Sequence, residues 1–440
     1  MIFSSTRRRS STLALAFALA TGTALTAVAI ETPSQAQRTK KEKAPKQEFS
    51  DEFRAQFNDM AELAQGEPAQ QAEAAAKAAA FAEVLSTPDD KMQGGVLLYN
   101  LGKAVDDLEL QLTGMDNILA SGKAPAESVG SYYFTAYQIA DQLERNEDAR
   151  RYLTTMADNG YTFEAALADG TQRTFAGDDI RLMVVENYWS AEDYPGGFAA
   201  LDGFIQAKNA AGEQVPETWL RRGLTVANET EDQANLARYT RAYVSTYPGD
   251  DAWRSAIAVA YNASQLDPQG MLDLLRLARR TNALQNRAMY GEYIDSADPR
   301  RLPQEVAEVI NEGYTAGLID RSDSYISESL AEATRRVEAD RSDLPSFLAD
   351  ARQSSADLAT LVAAGDTFLS YGRAAEAEEF YTRALPMSGV DTPRVLTRLG
   401  IAQLDQGKTA EAQATFQRVQ GARQALASLW AVYSEQQSGS

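Results

Sequence analysis

Apolar residues recur at three- and four-residue spacing almost without interruption from Phe49 to Trp430. That period places them along one face of a helix. Phe49, Phe53, Phe57 and Met60 form the first such stripe. Residues 69–80 are almost entirely Ala, Gln, Glu and Lys, a composition of strong helix formers. Each periodic stretch runs roughly 12–16 residues. Short breaks separate them, among them Gly66-Glu67-Pro68, Pro88-Asp89-Asp90, Asp193-Tyr194-Pro195-Gly196, Tyr247-Pro248-Gly249-Asp250 and Asp298-Pro299. Only Thr162 to Phe175, around the turn Asp169-Gly170, has strand character, and it reads as a small hairpin or a loop. Strands and helices do not alternate, which argues against an α/β enzyme scaffold.

Within this pattern the chain repeats itself. Residues 361–385 place Gly365 in a first helix, Gly372 at a turn, and Ala377, Tyr381 and Ala384 along a second helix. Gly400, Gly407, Ala412, Phe416 and Val419 repeat the arrangement 35 residues later. Mid-chain, Trp219 and Gly223 are followed by Tyr239 and Ala242, and Trp253 lies 34 residues after Trp219. These residues resemble the tetratricopeptide repeat, a helix pair of about 34 residues. Val419 and Asn235 stand where that family prefers Ala. The resemblance is close at the C-terminus and looser mid-chain. It implies an all-α fold, a right-handed superhelical solenoid of stacked helix pairs.

One helix pair cannot bury its apolar face alone, so stacked pairs share a core and leave a concave surface suited to peptides or helices. The expected organisation is a signal peptide over 1–36, a basic disordered linker over 37–48 and divergent helical repeats over 49–215. Tetratricopeptide-like repeats follow over 216–357, and C-terminal repeats with a capping helix over 358–440. That last helix carries Leu426, Leu429 and Trp430.

The N-terminus sets the expected compartment. Arg7, Arg8 and Arg9 precede an apolar, Ala-rich run from Thr12 to Ile30, and Ser34-Gln35-Ala36 offers small residues before a cut at Gln37. The expectation is a soluble periplasmic or secreted protein with no stable membrane insertion after cleavage. From Glu48 onward the chain holds 34 basic and 60 acidic residues, a net charge of −26. Such a body repels nucleic acid, so no nucleic-acid partner is expected. The chain has no His and no Cys. This removes imidazole and thiol catalysis and the usual ligands of zinc, haem and iron–sulfur clusters. No cofactor, metal site or catalytic residue is expected.

Carboxylate pairs at Asp89-Asp90, Asp106-Asp107, Asp178-Asp179 and Asp250-Asp251 leave open an enzyme acting on polysaccharide. Three of the pairs sit at helix starts, where acids cap and favour the dipole. Trp219 and Trp253 occupy packing positions. Tyr132, Tyr133, Phe134 and Tyr137 crowd one helix and are expected to pack against its neighbours.

Asn228 and Asn262 lie 34 residues apart, each in the last turn of a first helix. The family resemblance implies a peptide-gripping role for Asn there; helix capping is the alternative. The segment 219–301 holds eleven Arg and ten acidic residues. Its arginines read first as partners in internal salt bridges, and alternatively as a groove for acidic peptide or polymer. The candidate partner-binding residues are therefore Asn228, Asn262, Arg254 and Arg276. The expected function is a non-enzymatic scaffold for a protein or peptide partner, with a carboxylate enzyme or a helper in envelope assembly and polymer export as alternatives.

Overall fold

The breaks in the apolar pattern become helix starts. Thr87 accepts the Asp90 amide at 3.0 Å while Asp90 accepts the Thr87 amide, and Pro88 follows the cap. Asp267 caps the Gly270 amide at 2.6 Å, again with Pro in the first turn. Pro lacks an amide that the first turn would leave unpaired anyway, and the cap oxygen satisfies another.

The computed structural model describes residues 47–167, 169–263 and 266–438. The expected signal peptide and nearly all of the basic linker lie outside the described residues. Two compact units divide between Ala211 and Gly212. Residues 216–357 and 358–438 thus share one unit.

Unit 1 begins with α1 (Asp51–Gln65), α2 (Pro68–Glu83), α3 (Pro88–Ala104) and α4 (Leu108–Ala120). It continues with α5 (Val129–Gln142), α6 (Asn146–Asp158), the strands β1 (Phe163–Ala166) and β2 (Gln172–Phe175), α7 (Gly177–Ser190) and α8 (Tyr194–Ala210). The two strands pair antiparallel, Phe163 opposite Phe175. Phe163 stacks on Phe134 at 3.8 Å and on Phe175 at 5.0 Å. The crowded aromatics of α5 are thereby covered by the hairpin as well as by neighbouring helices. Tyr132, Tyr133 and Tyr137 are half-buried and Phe134 is buried.

Unit 2 opens with α9 (Glu217–Glu229), α10 (Gln233–Thr246), α11 (Asp250–Ala263), α12 (Pro268–Arg280), α13 (Arg287–Ala297) and α14 (Pro303–Thr315). The long α15 (Ser324–Arg352), with Pro345 inside it, interrupts the pair rhythm. Then come α16 (Leu358–Ser370), α17 (Ala374–Ala384), α18 (Thr392–Leu404), α19 (Thr409–Gln417) and α20 (Gln424–Ser438). Among the described residues the fold is all-α apart from the one hairpin.

The helix pairs are tetratricopeptide-like in their packing. A Cβ on Gly365 would lie 2.4 Å from Cε1 of Tyr381, and one on Gly400 2.5 Å from Cε1 of Phe416. The aromatic of each second helix therefore rests on the bare backbone of the first. Gly365→Ala should accordingly destabilise unit 2 by about 1–3 kcal/mol through overpacking. Helix propensity alone favours Ala by about 1 kcal/mol, so the sign of the measured change decides whether the contact dominates. A lower urea midpoint is the expected result, because the Tyr381 ring that would have to shift is fully buried.

Successive helices pack on one another along unit 2, but its end also returns to its beginning. α20 packs on α19, α10 and α12, and α18 packs on α12. Trp430, fully buried, donates from Nε1 to the carbonyl of Asp273 at 3.1 Å. Trp253 donates to Gln436 at 3.1 Å, and Gln436 donates to the Val244 carbonyl at 2.8 Å. The last helix buries Leu426, Leu429 and Trp430, and it packs on α10 and α12 as well as on α19.

Candidate functional site: a polar cleft over a buried ion network

The closure of unit 2 is tied by charge. Arg398 on α18 is completely buried and donates to Asp273 at 3.0 Å, to Asp366 at 2.6 Å and to the Gln269 side chain at 3.0 Å. Asp273 also receives Arg276 at 3.0 Å and Arg423 at 2.7 Å. Arg276 in turn grips Glu305 with two bonds of 2.7 Å, and the Tyr293 hydroxyl donates to Glu305 at 2.6 Å. Asp366 receives the Tyr381 hydroxyl at 2.7 Å and Arg394 at 2.6 Å. Each buried charge has opposite neighbours and hydrogen bonds, the condition under which burying charge is tolerable.

Burial pushes the Asp366 carboxyl up, but Arg398 and Arg394 outweigh it and hold the group down at about 2. Glu305 behaves alike, with burial opposed by Arg276, and is also held at about 2.

Above this network a cleft of about 470 Å³ opens between α12 to α14 on one side and α16 and α18 on the other. Arg276, Tyr293 and Glu305 form its buried floor. Arg279, Arg280, Glu308, Glu312, Asp405 and Tyr371 line its more accessible walls. Arg279 reaches Glu312 at 2.5 and 2.8 Å and Glu308 at 3.2 Å. Arg280 pairs with Asp405 and stacks over the Trp430 ring at 5.2 Å. The side chains of Glu308 and Glu312 are 44% and 52% exposed, against 26% for Arg279, so the negative groups are the more reachable. Each carboxylate oxygen has a second lone pair to offer.

The residues singled out from sequence are distributed over several elements. Asn228 is exposed in the last turn of α9, and the cap position belongs to Thr230. Asn262 is exposed on α11 and donates to the Ala258 carbonyl at 2.8 Å. Arg254 on α11 pairs with Asp251 at 2.6 Å and Asp250 at 3.4 Å. Arg276 is 5% exposed and belongs to the cleft floor on α12. Several arginines of 219–301 are engaged with carboxylates of this chain, including Arg221 with Glu217 and Arg287 with Asp323. The internal salt-bridge reading of that segment therefore describes them. Trp219 and Trp253 are 1% and 4% exposed and serve as core.

The paired acids are likewise in structural use. Asp89 accepts the Glu48 amide at 2.7 Å and Lys123 at 2.9 Å. Asp90 accepts the amides of Ser50 and Thr87. Asp107 caps α4, while Asp178 and Asp179 pair with Lys208 and Arg173. Sequence reasoning missed Glu308, Glu312, Arg279 and Arg280 as a group. Spacing of three and four along α12 and α14 was the available signal, but charged residues at that spacing also describe any solvated helix face.

No protein-family model and no curated protein matches the chain. Solved structures do show similarity. The APC/C hetero-tetramer Cut9-Hcn1 is similar at 11% identity and TM-score 0.21, over 83% of this chain and 72% of that one. The TPR domain of P58(IPK) is similar at 12% identity and TM-score 0.20, over 88% of this chain and 99% of that one. Yeast Tom70 is similar at 13% identity and TM-score 0.18, over 88% and 95%. No described helix is long and apolar enough to cross a membrane.

Proposed function

We propose that this protein is an exported, non-enzymatic scaffold that holds a basic segment of a protein partner in the polar cleft of unit 2. The Arg7 to Ala36 pattern supports export, and with it a periplasmic or secreted location. The observation that carries the binding reading is the charge left available in the cleft. Its arginines are engaged with carboxylates, whereas Glu308 and Glu312 stay half-exposed with acceptor capacity to spare. The acidic body adds long-range steering of a cationic segment. The cleft volume suits one or two inserted side chains rather than a whole folded domain. Asn228, Asn262 and Arg254 are proposed to add contacts along α9 and α11, with Arg276 holding the cleft floor in place.

The test uses a short Lys-Gly repeat peptide and its Glu-Gly counterpart. The Lys-Gly peptide should bind the full chain and lose affinity with salt; the Glu-Gly peptide should not bind. Glu308→Gln with Glu312→Gln should weaken binding about tenfold, while Glu62→Gln with Glu67→Gln in unit 1 leaves it unchanged. Equal loss from both pairs would reduce the effect to bulk charge and defeat the site. Separately, Asn228→Ala with Asn262→Ala should lower affinity without moving the melting temperature. Unchanged affinity would remove these two residues from the proposed surface.

A further inference from the structure

A second cavity in unit 2 has the opposite chemistry. It holds about 380 Å³ between α10, α11, α12 and α20, and Leu236, Val259, Leu274, Leu426 and Leu429 contribute to its walls. No charged side chain lines it. Its volume falls within the range of small-molecule sites, which are mostly apolar with a few placed polar groups.

One such polar group is present. Thr240 lines the cavity, is 3% exposed, and its hydroxyl has no hydrogen-bond partner. A helical threonine ordinarily satisfies its hydroxyl by donating to the carbonyl four residues back. Thr225 on α9, Thr230 just after it and Thr246 on α10 do so at 2.8 to 2.9 Å. The equivalent acceptor for Thr240 is the Leu236 carbonyl, and that bond is not made. A buried hydroxyl left unpaired costs the folded chain, and an apolar residue of the same shape would avoid the cost. Val would fit α10 at this position without a hydroxyl. The unpaired group therefore calls for a partner that the chain itself does not supply.

We propose that this pocket binds a small, uncharged, largely apolar molecule carrying one hydrogen-bonding group, which pairs with the Thr240 hydroxyl. The apolar walls supply most of the affinity through area removed from water, and Thr240 selects for the polar group. A charged ligand is disfavoured because no counter-charge lines the walls and the body is acidic. The site is separate from the polar cleft and independent of the partner-binding reading.

The probe is naphthol, with naphthalene as the analogue lacking the hydroxyl, each titrated against the full chain by fluorescence. Naphthol should bind saturably at one molecule per chain and about three- to tenfold more tightly than naphthalene. Thr240→Val should bring the two affinities together while leaving the ligand-free melting temperature equal or higher. Ala425→Trp, on the exposed side of the mouth, should abolish binding of both probes with helical circular dichroism retained; should Trp disturb folding, the smaller filler Ala237→Leu should weaken binding of both probes. Absence of saturable binding overturns the proposal. So does a naphthol preference that survives Thr240→Val, or binding that survives both pocket-filling changes.

Discussion

Replacing Arg398 with Met should cost unit 2 about 3–5 kcal/mol and loosen α18 from α12. Met keeps the apolar stem packed but ends short of the guanidinium, so the loss combines uncompensated acids with the space that the guanidinium vacates. Arg398 is the shared partner of Asp273 and Asp366, at 3.0 and 2.6 Å, and both acids are buried. Without it, Asp273 keeps Arg276 and Arg423, and Asp366 keeps Arg394 and Tyr381. Each acid then loses part of its compensation while remaining buried. Arg398→Lys should recover little, since a point charge cannot fork between two acids. Hydrogen exchange of peptides from 268–280 and 392–404 is the suitable readout, because a chain of two units need not unfold in one step. Faster exchange in both peptides is expected, with unit 1 unchanged.

The second large effect is acid lability centred on the buried acids of unit 2. Asp366 and Glu305 are both held at about 2, below their ordinary range. A carboxyl whose folded value is depressed adds stability above its unfolded value, about 4, and loses it as pH falls through the folded value. Each group is thus worth on the order of 2–3 kcal/mol at neutral pH. The stability of unit 2 should fall steeply between about pH 4 and 2. Glu305→Gln should flatten that slope and lower stability at neutral pH, because it leaves Arg276 with less compensation. An unchanged slope in the variant would show that the acid response comes from elsewhere.

The elements that sequence made legible are those whose partners are near in the chain. Gly365 and Tyr381 lie sixteen positions apart, and the small-aromatic pattern that joins them is short enough to read. The stretch 162–175 around Asp169-Gly170 was legible as a hairpin or a loop, and the structure pairs it as a hairpin with Phe163 opposite Phe175. The closure of unit 2 was not legible. Asp273 and Arg398 are 125 positions apart, and Asp273 and Trp430 are 157 apart. Arg398 looks like any polar residue on a helix until α12 is placed against α18. The same reason hid the cleft, whose walls come from α12, α14, α16 and α18. Arg276 shows what composition gives at this scale. Its segment reads first as internal salt bridges, and this guanidinium is held by Glu305 and Asp273, partners that composition alone does not name. Asn228 and Asn262 were visible through the 34-residue period, which reports position in a repeat and not what the surface meets.

The central claim, that a basic segment enters the cleft of unit 2, is tested most directly by hydrogen exchange of the full chain with and without saturating Lys-Gly peptide. The account predicts slower exchange in α12, α14 and α16, within 268–280, 303–315 and 358–370, with α1 to α8 unaffected. Protection spread across the acidic helices of unit 1, or none in α12 and α14, would contradict it.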